Sequence, residues 1–111
     1  MNQLTPEFAQ WARDYAAYLR GDYGYGHMDN DPKPPAGIDE ATAGYVRRLI
    51  GDGRRCGSAM DEQDQARADF ARESVRKLRP LLRPLGFSAD TLFSLGYRSV
   101  REKDWTPARL A

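Results

Sequence analysis

The 111-residue sequence is poor in the residues that build disulfides and metal sites. It has one cysteine, Cys56, and one histidine, His27. A single thiol cannot form an internal disulfide, and one histidine with one cysteine cannot make a structural zinc site. No apolar run approaches the roughly 20 residues that a membrane-spanning helix needs, and the first seven residues do not resemble a signal peptide. We therefore expect a cytosolic protein.

Motifs for cofactors and catalysis are also missing or broken. Residues 29–31 begin like a calcium loop and Glu40 falls in its closing position, but Lys33 stands at a ligand position and Pro34 where the loop requires glycine. A lone Gly-Tyr-Gly at residues 24–26 lacks the third glycine of a dinucleotide fingerprint. We expect no metal and no cofactor.

Cys56 is the only candidate nucleophile that the sequence singles out. It follows Arg54 and Arg55, and positive neighbours favour a reactive thiolate. A thiol enzyme also needs a positioned base, and nothing in the sequence brings His27 to Cys56. We expect an inert thiol and a protein that is not an enzyme, with catalysis by Cys56 as the least favoured alternative.

Composition is that of a globular domain. Hydrophobic residues make up 41% of the chain and charged residues 30%, which is ordinary for a folded protein of one domain. We expect residues 1–111 to form a single helical domain, with a tail over residues 102–111.

Charge is distributed unevenly along the chain. Residues 1–63 carry seven basic and ten acidic side chains, whereas residues 64–111 carry ten basic and six acidic side chains.

Apolar spacing and helix-capping residues predict an all-α fold of three main helices and a short fourth. Thr5 and Pro6 are typical of a helix start, and the apolar residues from Phe8 to Leu19 recur at helical spacing. A second helix is predicted from Asp39 to about Ile50, ended by the glycines of residues 51–53.

The third predicted helix begins near Ser58, with Ser58 and Asp61 resembling a capping box, and is ended or kinked by Pro80. Its apolar sector includes Phe70. Ser88 predicts the start of the short fourth helix, with Gly96 as its end. Residues 97–101 alternate enough to predict a short strand or an extended tail.

A row of arginines on the third predicted helix is the best candidate for a binding surface. Arg72, Arg76, Arg79 and Arg83 recur at i, i+4, i+7 and i+11 and so share one helix edge, where guanidinium groups bind phosphates or carboxylates. The alternative is that the row is a solvated face paired within its own helix. Asp69 and Glu73 lie three residues before Arg72 and Arg76, which leaves Arg79 and Arg83 unpaired.

A long loop between the first two predicted helices, residues 21–37, is the second candidate. It is rich in glycine and proline and carries Tyr23, Tyr25, His27 and Met28, side chains of the kind enriched at protein interfaces. A contact patch and a plain connection are equally compatible with this composition.

These features predict a small binding protein, such as a regulator, accessory factor or inhibitor, that docks on a larger protein or assembly. Its partner-binding residues are predicted to be Arg76, Arg79 and Arg83 with the tyrosine loop. The alternative is a nucleic-acid-binding regulator in which the same arginines bind phosphates, assisted by two arginine pairs, Arg47–Arg48 and Arg54–Arg55. Aromatic residues interleaved with the basic row, which such binding favours, are lacking near it.

Overall fold

The computed structural model describes residues 5–20 and 32–102. Within them the chain forms four α-helices and no strand: α1 is Pro6–Arg20, α2 is Glu40–Asp61, α3 is Gln65–Leu82 and α4 is Ala89–Arg101, with a 3-10 turn at Arg83–Leu85. The all-α prediction is confirmed, and α4, at 13 residues, is the shortest helix.

The predicted N-terminal caps of three helices are confirmed. The amide of Phe8 donates to the Thr5 hydroxyl at 3.1 Å, and the amide of Thr91 donates to the Ser88 hydroxyl at 3.2 Å. At α2 the Thr42 amide donates to the Asp39 carboxylate at 2.7 Å. Hydrogen bonds from the backbone and then the side chain of Thr42 lower the pKa of Asp39 below its ordinary value, because they stabilise the charged carboxylate.

The predicted end of the second helix is wrong. Gly51 and Gly53 lie inside α2, which continues for 22 residues to Asp61, and Ser58 is an interior residue rather than a cap. The helix ends at Asp61 with Glu62 as its C-cap, and the next residue, Gln63, has a φ of +57°. The amide of Asp64 then donates to the Ala59 carbonyl at 2.8 Å, and that of Gln63 to the Met60 carbonyl at 3.2 Å. This pair of bonds is the Schellman arrangement, formed here without glycine.

Glycines let α2 and α4 approach to backbone contact. A Cβ atom added at Gly53 would lie 2.0 Å from the carbonyl oxygen of Phe93, and one added at Gly96 would lie 2.0 Å from that of Ile50. The prediction that Gly96 ends the fourth helix is therefore wrong, as is the strand or tail at residues 97–101, because α4 runs on to Arg101. These glycines serve helix packing.

Helix α3 ends just before Pro84 and not at Pro80. Pro80 lies inside α3, which continues to Leu82 before the 3-10 turn that holds Pro84. Gly86 then adopts a left-handed conformation with a φ of +83°, and this turn directs the chain into α4. The helix start predicted near Ser58 is wrong, because α3 is capped by Asp64, whose carboxylate accepts from the Arg67 amide at 3.1 Å.

The core lies where α2 packs against the other three helices. Phe8 of α1 stacks on Phe87, which precedes α4, with ring centroids 4.3 Å apart and planes 6° from parallel. A smaller cluster of buried small residues, Cys56, Ala59, Ala68 and Ala71, joins α2 to α3. The described helices include none that is long and apolar enough to span a bilayer.

Candidate functional site

The arginine row of α3 is largely paired within the molecule. Arg72 lies 3.5 Å from Asp69, and Arg76 pairs with Glu73. These two intrahelical pairs confirm the prediction made from their spacing. They neutralise the first half of the row.

Arg79 was predicted to be unpaired, and that prediction is wrong. Its Nη2 and Nε atoms donate to the two carboxylate oxygens of Asp90 at 2.7 and 3.2 Å. The hydrogen bond to Asp90, and then the charge of that carboxylate, raise the pKa of Arg79. Asp90 is in the first turn of α4, which the turn at Gly86 brings back against α3.

Arg83 is exposed, and its guanidinium group forms no hydrogen bond or ion pair with any residue that the structure describes. With Arg79 it lines a shallow depression of about 330 Å³ at the turn between α3 and α4. The other predicted contact residues, Tyr23, Tyr25, His27 and Met28, lie outside the described residues. Their role stays a prediction.

A larger concave surface, which we call the arginine groove, lies between α1, α2 and α3. Its volume is about 790 Å³, and five arginines line it: Arg47, Arg48, Arg54, Arg55 and Arg67. Four of them belong to α2 and are spaced i, i+1, i+7 and i+8. Because seven residues are close to two helical turns, both arginine pairs lie on one side of an unbroken α2. Gly51 lies between them and adds no side chain to the groove.

One carboxylate, that of Asp52, lies among these arginines. Its side chain is 13% exposed and pairs with Arg55, and it lies 3.6 Å from the Nε of Arg48. The arginine side chains stay largely open to solvent, at 58% for Arg48 and 67% for Arg55. Five arginines and one carboxylate in the lining give it a positive formal charge, which Asp52 and, through Arg67, Glu62 partly offset.

Arg47 is held against two aromatic rings of α1. Its guanidinium carbon lies 5.7 Å from the centroid of the Trp11 ring and 6.0 Å from that of Tyr15, distances at which a cation is attracted to a ring face. The Nε atom of Arg47 is buried without a hydrogen-bond partner. Packing against α1 thus orients this arginine at the side of the groove.

Two further arginines are anchored by neighbouring helices. Arg54 donates to the Ser99 hydroxyl of α4 at 3.1 Å, and that hydroxyl donates to the Gly96 carbonyl at 2.7 Å. Arg67 of α3 pairs with Glu62. Contacts outside the groove therefore restrict side chains that would otherwise lose rotamer freedom on binding a ligand.

An aromatic side chain lies beside these arginines. Phe70 lines the groove and is 78% exposed, so its predicted place in the core is wrong. Tyr15 and Leu19 of α1, both partly buried, line the same groove. The site combines guanidinium groups with exposed apolar surface.

The candidate nucleophile Cys56 is fully buried between α2 and α3. Among residues 5–20 and 32–102, no three side chains of the types His, Cys, Asp and Glu are grouped to hold a metal ion.

Comparison with protein-family models, with curated proteins and with solved structures found no match.

Proposed function

We propose that the chain is a small binding protein that docks on a larger protein by receiving an acidic segment of that protein in the arginine groove. The observation that carries the proposal is the convergence of five guanidinium groups, against one carboxylate, on a single concave surface. Guanidinium groups bind carboxylates through two parallel hydrogen bonds. A segment with several Asp or Glu side chains matches this lining in charge and in hydrogen bonding.

The internal partners of these arginines leave donors available. A guanidinium group has five N–H donors, and the side chains of Arg48, Arg55 and Arg67 are all more than half exposed. Asp52 and Glu62 accept hydrogen bonds from only some of these N–H donors. They also restrain the arginines in the unbound protein, which lowers the entropy cost of binding an acidic segment.

The charge around the groove favours an acidic protein segment over nucleic acid. A duplex carries one negative charge per roughly 1.7 Å of its axis, so its backbone would extend well past the groove. Outside the groove, carboxylates accompany the arginines of α3 and α4 and would repel a phosphate backbone. These carboxylates are Asp69 beside Arg72, Glu73 beside Arg76, Asp90 beside Arg79, Glu102 beside Arg98, and Asp61 beside Arg101.

Docking of this kind fits a regulator, an accessory factor or an inhibitor, and the proposal assigns no catalytic step. It also assigns the protein to the cytosol, where a lone reduced thiol such as Cys56 is usual. Arg83 and the tyrosine loop remain predicted additional contacts. We place the centre of the surface in the groove rather than at Arg76 and Arg79, because the groove is concave and five arginines line it.

The test is fluorescence anisotropy with a fluorescein-labelled peptide of alternating glutamate and serine, at low salt. The variant Arg48→Gln/Arg55→Gln removes two groove arginines. The matched control Arg72→Gln/Arg76→Gln removes two arginines that also pair with carboxylates of their own helix. We expect the groove variant to weaken binding about tenfold, the sum of two partly screened charge contacts, and the control to change it less than twofold.

Equal losses in the groove variant and the control would overturn the proposal, as would no binding of the peptide by the wild type. Labelled single-stranded and duplex oligonucleotides serve as competing ligands at the same salt. If an oligonucleotide binds far more tightly than the peptide and loses that binding in Arg48→Gln/Arg55→Gln, the partner is a nucleic acid and the protein-docking proposal fails. Melting curves of both variants establish that they are folded.

A further inference from the structure

Phe70 adds an apolar element to the arginine groove that its charges do not explain. It is 78% exposed, whereas the neighbouring residue on α3, Ala71, is 3% exposed. A single exposed aromatic residue on a surface is common. Phe70 differs because it lies one helical turn after Arg67 in the lining of a concave, charged site.

The groove is therefore amphipathic. Apolar lining comes from Tyr15 and Leu19 on α1 and from Phe70 on α3, and Arg48 and Arg55 on α2 supply cations to the same lining. The rings of Tyr15 and Trp11 contact the Arg47 guanidinium, so aromatic surface and positive charge adjoin within one site. An occupant that offered carboxylates alone would leave the Phe70 ring in water.

We infer that the acidic segment received by the groove carries a large aromatic or aliphatic side chain next to its acidic residues, and that this side chain packs against Phe70. The inference rests on the proposed function and names the chemistry of the partner: an acidic and hydrophobic segment, with the carboxylates on the groove arginines. Burial of apolar area adds affinity that does not depend on salt, in contrast to the charge contacts.

Two labelled peptides of equal length and equal glutamate content test this inference on the full chain. One has a central Phe-Leu pair and the other has Ser-Ser in its place. In the wild type we expect the Phe-Leu peptide to bind about tenfold more tightly, as expected for partial burial of one ring against another. In Phe70→Ala this advantage, measured as the ratio of the two affinities for the same variant, should fall to about twofold.

The variant Phe70→Leu separates hydrophobic packing from base stacking. An aliphatic side chain preserves packing against Phe-Leu, so we expect it to keep most of the tenfold advantage. If Phe70→Leu instead loses an oligonucleotide that the wild type binds more tightly than either peptide, the ring stacks on bases and the inference is overturned.

The outcomes keep this inference apart from the proposed function. Equal affinity of the two peptides for the wild type overturns the inference and leaves docking of an acidic segment intact. Failure of both peptides to bind overturns the proposed function and the inference with it. Because Phe70 is exposed, its variants are expected to fold, and their melting temperatures check this.

Discussion

Replacing Gly53 by alanine should destabilise the protein, although alanine is the better helix former. The added Cβ would lie 2.0 Å from the Phe93 carbonyl oxygen and 2.9 Å from the Tyr97 amide nitrogen. Real Cβ atoms do not approach backbone atoms to less than 3.0 Å, so α2 and α4 must separate by roughly 1 Å. That separation loosens the contacts along the most extensive helix pair of the fold.

The expected change in the free energy of unfolding of Gly53→Ala follows from two opposing effects. Forcing an extra carbon into a packed interface costs about 3 kcal/mol, at the upper end of overpacking effects because the opposing atoms are backbone. Alanine recovers about 1 kcal/mol of helix propensity. The net loss is therefore about 2 kcal/mol, which lowers the melting temperature by roughly 8 °C in a domain of this size.

Gly44 offers a matched control on the same helix. A Cβ at Gly44 meets no atom within 4 Å, so Gly44→Ala keeps the gain in propensity without a clash and should stabilise the protein by about 0.5–1 kcal/mol. Thermal unfolding followed by circular dichroism measures both variants. If Gly53→Ala is as stable as Gly44→Ala, the close crossing of α2 and α4 is refuted.

Three further predictions concern the burial of two phenylalanine rings, the N-terminal cap of α2 and the buried thiol. Phe87→Ala should cost about 3–5 kcal/mol in urea unfolding because a stacked, buried ring is lost, whereas Phe70→Ala should cost less than about 0.5 kcal/mol; equal costs would contradict the assigned burial. Because the folded-state pKa of Asp39 is lowered, its stabilising charge is complete above about pH 4 and is lost as the pH falls through that lowered pKa. Asp39→Asn keeps a capping side chain but removes the charge, so it should be less stable than wild type at pH 7 and lose less stability on acidification, and an unchanged acid dependence would argue against the cap. Cys56 should react with a thiol reagent only after unfolding, and rapid labelling of the native protein would show that the thiol is accessible.

Features that depend on neighbouring residues could be predicted from the sequence. The caps at Thr5, Asp39 and Ser88 and the pairs Asp69–Arg72 and Glu73–Arg76 each join residues three apart. Their geometry follows from the helix itself. For the same reason the number of helices and the all-α class were predicted correctly.

The length of α2 could not be predicted from the sequence, because a glycine, Gly53, lies inside the helix and a non-glycine residue, Gln63, has the left-handed conformation after it. Gly53 breaks helices in most contexts, and here the backbone of α4 compensates for its low helix propensity. The helix ends at Asp61, and the left-handed conformation two residues later is adopted by Gln63, a residue type that rarely has a positive φ. Neither the close approach of α4 nor the strain at Gln63 leaves a sequence signal.

The arginine groove could not be predicted, for the same reason. With α2 divided at residues 51–53, Arg47–Arg48 and Arg54–Arg55 belong to separate segments and cannot be assigned to one face. Arg79 was left unpaired because its partner, Asp90, lies eleven residues away on another helix. Phe70 was placed in the core on a helix taken to run without a break from Ser58, although Ser58 lies in α2.

Continuity of α2 underlies both the core and the arginine groove, and backbone NMR of the full chain tests it residue by residue. We predict helical ¹³Cα shifts and sequential amide contacts without a break from Glu40 to Asp61, including Gly51 and Gly53. Random-coil shifts at residues 51–53 with a new helix beginning at Ser58 would contradict this and would remove the groove with it.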